Sequence, residues 1–241
     1  MNKNRTEIVK KWYEQSYGEN GFNAQRLYPN EELLRFLGRE FFSKLPRSER
    51  KNIKILEVGC GSCSNLWMVA KEGFEAFGVD LSKKSISLGQ EMLNYWNVTA
   101  DLKVGSMTKL PYDDGYFDVI FDVFSANCLD EKSFNICLDE VTRCLKSGGK
   151  FFSYSPSIKS DAYINHSPAE KIDQWTIDGI KRIDSAYCGQ EYPFHFISSD
   201  HYKKLLLERH YNISYLESVG RTYSFENEYF EFITIVGVKK A

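Results

Sequence analysis

The chain has 241 residues, with 31 Lys and Arg against 33 Asp and Glu, and its formal net charge of −2 gives no overall positive field for gripping phosphate backbones. Hydrophobic residues at 42% and charged residues at 27% are ordinary for a globular chain and exclude a disordered or fibrous one. No run of about 18 apolar residues is present, so we expect no membrane-spanning helix. Aromatic residues stand out at 15%, and they become denser after residue 150.

The N-terminal residues are charged and lead into no apolar stretch, so a secretory signal is not expected. The six cysteines lie in apparent core segments. Cys60 and Cys63 form a C-x-x-C pair, but no second pair at ligand spacing accompanies them, which disfavours a zinc site. These features predict a soluble, cytoplasmic protein with reduced thiols and no metal.

Helical and strand patterns alternate along the first two thirds of the chain. An apolar helical face spanning 33–45 follows Pro29 and Asn30, which form a helix start signal. Strands that alternate with helices of this length form βαβ units, so the sequence predicts an α/β fold with a parallel sheet. The later predicted elements are strand 53–58, helix 64–71, strand 76–79, a helix from Ser82 to about Trp96, strands 102–104 and 117–121, a helix around 134–145 and strand 150–154.

The alternation lapses between residues 155 and 198. Within this stretch, 175–181 is compatible with a hairpin around Asp178-Gly179 or with a short helix, and periodicity does not decide between them. A helix near 200–210 and β segments 213–219 and 229–238 follow. We therefore predict a single domain with four parts: an N-terminal helical segment (1–50), a cofactor-binding core (51–156), a substrate cap (157–198) and a C-terminal helix with strands (199–241).

One sequence motif suggests a ligand-binding site. Glu57-x-Gly59-x-Gly61 closes the first predicted strand, and Asp80 ends the second. Glycine allows a tight turn and close approach of a ligand to the backbone, and a carboxylate at the next strand end can accept both ribose hydroxyls of a nucleotide. Residue 64 is Ser, so the dinucleotide fingerprint G-x-G-x-x-G is incomplete. An NAD-dependent enzyme or a non-catalytic nucleotide-binding module stays an alternative.

This pattern resembles the cofactor motif of class I S-adenosylmethionine-dependent methyltransferases. The resemblance extends to about Phe152, because 105–107, 117–120 and 145–151 match the family's adenine loop, fourth strand and the turn before strand five. One departure is Cys63, where the family often has a third glycine. The resemblance implies a Rossmann-like, doubly wound seven-stranded sheet, mainly parallel with an antiparallel C-terminal strand and helices on both faces. It also implies S-adenosyl-L-methionine as cofactor and S-adenosyl-L-homocysteine as product.

The resemblance also assigns roles. Glu57 and the Gly59–Gly61 turn would face the methionine end of the cofactor, and Asp80 would face the ribose. Asp122 and Val123, at the end of strand four, would lie near the meeting point of methyl group and acceptor. In the N-terminal segment, Tyr17 and neighbouring aromatic residues would fold over the cofactor or pack on the sheet. The cofactor-binding residues implied are Glu57, Gly59, Cys60, Gly61, Asp80, Leu81, Ser106, Met107, Asp122, Val123 and Tyr17, with Leu81, Ser106 and Met107 at the adenine.

Methyl transfer from a sulfonium needs an acceptor held in line and sometimes a base. The candidate catalytic residues are Asp122, His195 and Tyr154. Asp122 could equally be a capping carboxylate, and His195, in the aromatic turn 192–196, could be a packed and hydrogen-bonded residue. His201 and His210 flank a predicted helix and are expected at the surface.

The predicted function is methyl transfer to an oxygen or nitrogen of a small molecule, of sugar or secondary-metabolite type, by a monomer or homodimer. A protein or tRNA acceptor is the alternative, and the slight acidic excess after residue 150 weighs against it. Residues 122–125 also lack the Asn/Asp-Pro-Pro-Tyr motif of the family's branch that methylates base amines. Neither nucleic acid nor a membrane is expected as a partner.

Overall fold

The computed structural model describes residues 3–241. Helix α1 (Lys3–Asn20) and helix α2 (Glu31–Leu37) precede the sheet. The side chain of Asn30 accepts a hydrogen bond from the Leu33 amide at 3.1 Å, which is the N-cap that the start signal predicted. The apolar face predicted over 33–45 is not one α-helix, because the chain widens into a π-helical turn at Gly38–Phe42.

Strands make up one large sheet and one small one. Seven of them form a mixed sheet in the order β3-β2-β1-β4-β5-β9-β8, and the other two pair with each other. The strands are β1 (Lys54–Val58), β2 (Glu75–Asp80), β3 (Asp101–Val104), β4 (Phe117–Val123), β5 (Leu145–Pro156), β6 (Thr176–Ile177), β7 (Phe194–His195), β8 (Tyr211–Tyr223) and β9 (Glu228–Lys239). Neighbours from β3 to β5 are parallel, whereas β9 is antiparallel to both β5 and β8. This confirms the predicted fold class.

The remaining helices connect these strands, and polar side chains cap three of them. Ser82 accepts from the Ser85 amide at 3.0 Å, Asp130 from Ser133 at 2.9 Å and Ser198 from His201 at 3.1 Å, which satisfies amides that a helix leaves free at its first turn. No helix within residues 3–241 combines the length and the apolar character needed to cross a bilayer. These helices are α3 (Leu66–Lys71), α4 (Lys83–Tyr95), α5 (Glu131–Cys144), α6 (Asp161–Ile164) and α7 (Ser199–Glu208).

The core lies on both faces of the central strands β1, β4 and β5. Most of their residues are buried, as expected for parallel strands covered on both sides. Phe36 of α2 stacks on Phe152 of β5 with ring centroids 5.0 Å apart. The strand order reverses between β1 and β4, so the carboxyl ends of these two strands border the crevice where open α/β sheets bind ligands.

The cap differs from both predicted alternatives. Residues 175–181 form neither a hairpin nor a helix, because Thr176 and Ile177 pair antiparallel with β7. Gly179 has φ +138°, and a Cβ at this residue would lie 2.4 Å from the carbonyl oxygen of Gln190. The glycine therefore permits a close approach of two distant backbone segments rather than a local turn.

Candidate functional site

A cavity of about 350 Å³ opens beside the carboxyl ends of β1, β2 and β4. This size is typical of small-molecule sites. Three separate stretches of the chain line it: α1 with the turn that follows, the loops after the central strands, and the cap. The residues predicted from the sequence that line it are Glu57, Gly59, Cys60, Asp80, Leu81, Met107 and Val123.

The turn after β1 uses left-handed backbone at three residues. Gly59, Gly61 and Cys63 have φ of +66°, +52° and +63°. Cys63 thus adopts the conformation that favours glycine, at the position where the resembling family often has one. A Cβ on Gly59 would lie 2.4 Å from the Cβ of Ser125. Gly59 is therefore needed because the loop after β4 packs directly against this turn.

Helix α1 and the segment behind it close over the same turn. A Cβ on Gly61 would lie 2.4 Å from Oε1 of Gln25 and 2.6 Å from the hydroxyl oxygen of Tyr17. Tyr17 is buried, and its hydroxyl has no hydrogen-bond partner within the part of the chain that the structure describes. Tyr17 thus covers the glycine turn without lining the cavity, whereas Gln25 does line it.

Glu57 presents a free carboxylate oxygen at the edge of the cavity. Its Oε1 accepts a hydrogen bond from Asn65 at 2.6 Å, while Oε2 is buried and unpaired within the described residues. Asn65 in turn accepts from the guanidinium of Arg26 at 3.3 Å. Burial raises the pKa of Glu57 to about 8, although the Asn65 bond and the charge of Arg26 act in the opposite direction. A buried acceptor without a partner calls for a donor from a ligand.

Asp80 bridges two backbone segments at the end of β2. Its Oδ2 accepts from the Gly61 amide at 2.9 Å and its Oδ1 from the Ser82 amide at 2.8 Å. Burial raises the pKa of Asp80, and these hydrogen bonds oppose the rise. Each carboxylate oxygen retains a second lone pair, so the fixed side chain can still accept two hydroxyl donors.

The residues assigned to the adenine separate into two groups. Leu81 and Met107 line the cavity with apolar atoms. Ser106 is not among the described residues that line it, and its hydroxyl lies 2.7 Å from that of Thr108. Ser106 therefore shapes the loop that carries Met107.

Asp122 occupies a capping position under the loop after β4. Its buried carboxylate accepts from the amides of Ser125 and Ala126 at 3.0 and 2.9 Å, and from the Ser153 hydroxyl at 3.0 Å. Burial raises the pKa of Asp122 and these bonds oppose the rise. The side chain is absent from the described cavity lining, whereas Phe124 and Ser125 above it belong to that lining. Asp122 therefore positions the loop.

His195 faces away from the cavity, against helix α5. Its Nε2 lies 2.8 Å from Oε2 of Glu131, and its ring stacks on Phe134 at 4.6 Å. His201, predicted at the surface, is partly buried: its Nε2 lies 2.9 Å from Oε1 of the same Glu131 and its ring stacks on Trp175. His210 is exposed, as predicted.

Tyr154 is also buried outside the cavity. Its ring stacks on Phe232 of β9 with centroids 4.4 Å apart. Among the described residues, neither Tyr154 nor His195 lines the cavity.

Several lining residues were not identified in the sequence. Phe124 has φ +57° and meets Tyr187 with ring centroids 4.9 Å apart. The hydroxyls of Tyr13 on α1 and Tyr192 in the cap lie 3.0 Å apart. These contacts join segments far apart in the chain, so local patterns contain no signal for them. The lining residues that were not predicted are Val9, Ala24, Gln25, Arg26, Ser64, Asn65, Val79, Phe124, Ser125, Cys128 and Gln190.

The strand order, the antiparallel C-terminal pair and the crevice beside β1 and β4 define a Rossmann-like methyltransferase fold. Residues 55–149 match a family model described as "Methyltransferase domain". This stretch, less than half of the chain, is therefore similar to known methyltransferase domains.

Curated relatives match the chain in part. Sterol 4-C-methyltransferase strm-1 of Caenorhabditis elegans is 29% identical over 144 residues, which cover 59% of this chain and 41% of that protein. The ubiquinone/menaquinone biosynthesis C-methyltransferase UbiE of Chromobacterium violaceum is 31% identical over 107 residues, 43% of each chain. The chain spans about half the length of the curated relatives it matches.

Solved structures share the fold over a larger part of the chain. A SAM-dependent methyltransferase from Methanosarcina mazei has a TM-score of 0.65 at 21% identity, covering 78% of this chain and 92% of that one. Magnesium protoporphyrin IX methyltransferase from Synechocystis, with bound SAH, has a TM-score of 0.68 at 11% identity, covering 98% and 100%. At these identities the likeness concerns the fold.

Proposed function

We propose that this protein transfers the methyl group of S-adenosylmethionine to a small molecule bound beneath the cap, residues 157–198. The observation that carries the proposal is the buried Oε2 of Glu57, which has no hydrogen-bond partner among residues 3–241. Glu57 lines the cavity beside the glycine turn, together with the cation of Arg26. An amino acid end that bears both an ammonium and a carboxylate matches this pair of charges. The neighbouring structures crystallised with S-adenosylhomocysteine or S-adenosylmethionine support the same cofactor.

The other lining residues fit the rest of such a cofactor. Asp80 is held by two backbone amides and can accept the ribose hydroxyls. Leu81 and Met107 offer apolar surface for the adenine. Tyr17 and Gln25 close over Gly61 and exclude water from the methionine end. The acid, glycine and acid pattern of the sequence is thus proposed as one binding surface.

When bound, the cofactor supplies a methyl group already activated by its sulfonium. The protein then has to orient the acceptor and keep water out, which lowers the barrier by positioning rather than by new bonds. Phe124 and Tyr187 form an apolar wall suited to that task. Asp122 acts as a positioning residue for this loop, because its carboxylate holds Ser125 and Ala126. His195 and Tyr154 have no role in this proposal.

The acceptor is proposed to be largely apolar, with an oxygen or nitrogen as the methylated atom. Aromatic lining from Trp12, Tyr13, Phe124 and Tyr187 favours an apolar body over a sugar. The relatives' names, which include sterol and fatty-acid methyltransferases, support this preference. Among the described lining residues Arg26 is the one cation, which disfavours a nucleic-acid acceptor.

Calorimetric titration with S-adenosylhomocysteine and with NAD, in separate experiments, tests the proposal. We expect S-adenosylhomocysteine to bind and Asp80→Ala to weaken its binding at least about tenfold, the loss of one or two hydrogen bonds to a charged group. Asp101→Ala, which removes an exposed carboxylate from β3, is the matched control and should leave affinity unchanged. Binding of NAD without S-adenosylhomocysteine would overturn the proposal.

A further inference from the structure

Gln190 brings an amide side chain to the cap side of the cavity. It lines the cavity, and its Oε1 is buried without a hydrogen-bond partner in the described part of the chain. Burying an amide oxygen without a donor costs free energy, so such an atom is usually satisfied by a group absent from the protein itself. The residues proposed to bind the methionine end of the cofactor come from the motif loops and from the segment after α1, whereas Gln190 lies in the cap. The proposed cofactor therefore does not explain the unpaired oxygen of Gln190.

The backbone around Gln190 is fixed. Its carbonyl accepts a hydrogen bond from the Ile180 amide at 3.1 Å, and the Gly189 amide donates to the Ile180 carbonyl at 2.9 Å. Gly179 has no Cβ to block this pairing, since a Cβ there would lie 2.4 Å from the Gln190 carbonyl oxygen. The fold therefore holds the residue in place before a ligand arrives, as specificity requires.

Aromatic rings surround the amide, and one of them belongs to a residue with a strained backbone. Phe124 and Tyr187 line the same cavity, with ring centroids 4.9 Å apart and planes tilted by 49°. Phe124 adopts φ +57°, an unfavourable conformation for a residue with a bulky side chain, and such outliers concentrate at binding sites. Phe124 also packs on Phe232 of β9 at 5.4 Å, which holds the ring in this orientation.

We propose that Gln190 is a specificity-determining residue, which accepts a hydrogen bond from a hydroxyl or amine of a flat, largely apolar acceptor packed against Phe124 and Tyr187. This inference rests on the proposed function, since it assigns the cap side of the cavity to the methyl acceptor. A site built to pair with a substrate hydroxyl discriminates strongly against an analogue that lacks it, because the amide is then left unpaired.

The matched probes 1-naphthol and naphthalene test this inference, by fluorescence titration into protein saturated with S-adenosylhomocysteine. Wild-type protein is expected to bind 1-naphthol at least about tenfold more tightly than naphthalene. Gln190→Leu should abolish the preference while naphthalene binds as before. Gln174→Leu, an exposed glutamine elsewhere in the cap, should retain it. Thermal unfolding of each variant shows that the fold is intact.

Two results would overturn the inference: equal affinity of wild-type protein for both probes, or a preference that survives in Gln190→Leu. Calorimetry with S-adenosylhomocysteine alone separates this outcome from failure of the proposed function. Normal S-adenosylhomocysteine binding without discrimination refutes only the role of Gln190. Absent S-adenosylhomocysteine binding refutes the proposed function and with it the assignment of the acceptor side.

Discussion

The Nε2 atom of His195 lies 2.8 Å from Oε2 of Glu131, the first residue of helix α5. The other oxygen of Glu131 lies 2.9 Å from Nε2 of His201, on α7. One carboxylate therefore joins the cap, α5 and α7. The histidine that looked like a candidate base from its aromatic neighbours is a structural partner of this carboxylate.

Glu131→Gln should make the protein less stable at neutral pH. Burial opposes ionisation of Glu131, but the hydrogen bonds and charges of the two imidazoles outweigh it and lower the pKa to about 2, from 4.5. Because this pKa is lowered on folding, the carboxylate stabilises the fold above about pH 4.5 and loses that effect as the pH falls towards 2. We expect the substitution to lower the free energy of unfolding by about 1–3 kcal/mol at pH 7 and by less as the pH approaches 2.

Urea unfolding at several pH values measures this difference. Glu91→Gln, on the exposed side of α4, is the control and should unfold like the wild-type protein at every pH. Identical pH profiles for Glu131→Gln and wild type would contradict the stabilising role of the carboxylate.

Glu57→Gln should remove a proton release that accompanies cofactor binding. Burial raises the pKa of Glu57 to about 8, so below that pH the ligand-free protein holds this carboxyl largely protonated. An ammonium group favours the ionised form, so S-adenosylhomocysteine binding at pH 7 should release a proton from Glu57. Calorimetry in buffers of different ionisation enthalpy measures this release. In Glu57→Gln the release should disappear and the affinity should fall at least about tenfold, since a charged hydrogen bond is lost.

The same substitution should stabilise the ligand-free protein. Because folding raises the pKa of Glu57 above 4.5, this group costs stability as the pH rises from there through about 8. Gln keeps an oxygen for the Asn65 amide and carries no charge. We expect the free energy of unfolding to rise by about 1 kcal/mol at pH 8, which corresponds to a Tm about 2–4 °C higher for a chain of this size. A lower Tm for Glu57→Gln than for wild type would count against a buried charge at this site.

Gly61→Ala should disturb both the fold and cofactor binding. The residue has φ +52°, and its new Cβ would meet Gln25 and Tyr17 at 2.4 and 2.6 Å. We expect a loss of about 1–3 kcal/mol in stability together with weaker binding of S-adenosylhomocysteine. Gly18→Ala on α1 meets nothing within 4 Å, so it should be neutral or stabilise the helix by up to about 1 kcal/mol. Chemical unfolding and calorimetry of the two variants give the comparison, and equal effects would refute a packing role for Gly61.

Removing the Tyr13 hydroxyl should weaken the contact between α1 and the cap. Its oxygen lies 3.0 Å from that of Tyr192, and burial raises the pKa of both phenols, so each stays neutral. Tyr13→Phe and Tyr192→Phe should each cost about 1–2 kcal/mol, because one buried hydroxyl is left unpaired, while the double variant costs less than the sum. A double-mutant cycle from urea unfolding measures the coupling, and strictly additive effects would show that the hydroxyls do not interact.

The sequence predicted the part of the fold that depends on local patterns. Apolar runs located β1, β2, β4 and the second half of β5, and Ser82 marked the start of α4, because period and capping chemistry act between near neighbours. The cap was misread at Gly179. A glycine at a turn and a glycine at a backbone crossing look the same in sequence, and only the partner segment at Gln190 distinguishes them.

The residues of the candidate site divide in the same way, into those that local patterns predict and those that depend on distant segments. Glu57, Gly59 and Asp80 were predicted together, since the ends of adjacent parallel strands must meet at one edge of the sheet. Arg26 and Gln190 were missed, because nothing local marks a lone polar side chain as a neighbour of a distant loop. His195 was predicted either as a base or as a packed residue, since aromatic neighbours indicate burial equally well beside a cavity or inside a core; its ring stacks on Phe134.

Helix α1 touches both ends of the cavity through consecutive residues. Tyr13 meets Tyr192 of the cap, and the next residue, Glu14, accepts hydrogen bonds from the amides of Lys83 and Lys84 at the start of α4, beside Asp80. A displacement of α1 that breaks one contact therefore strains the other. Under the proposed function, one rigid helix would therefore set the distance between the end of the cavity that holds the ribose and the end that receives the acceptor.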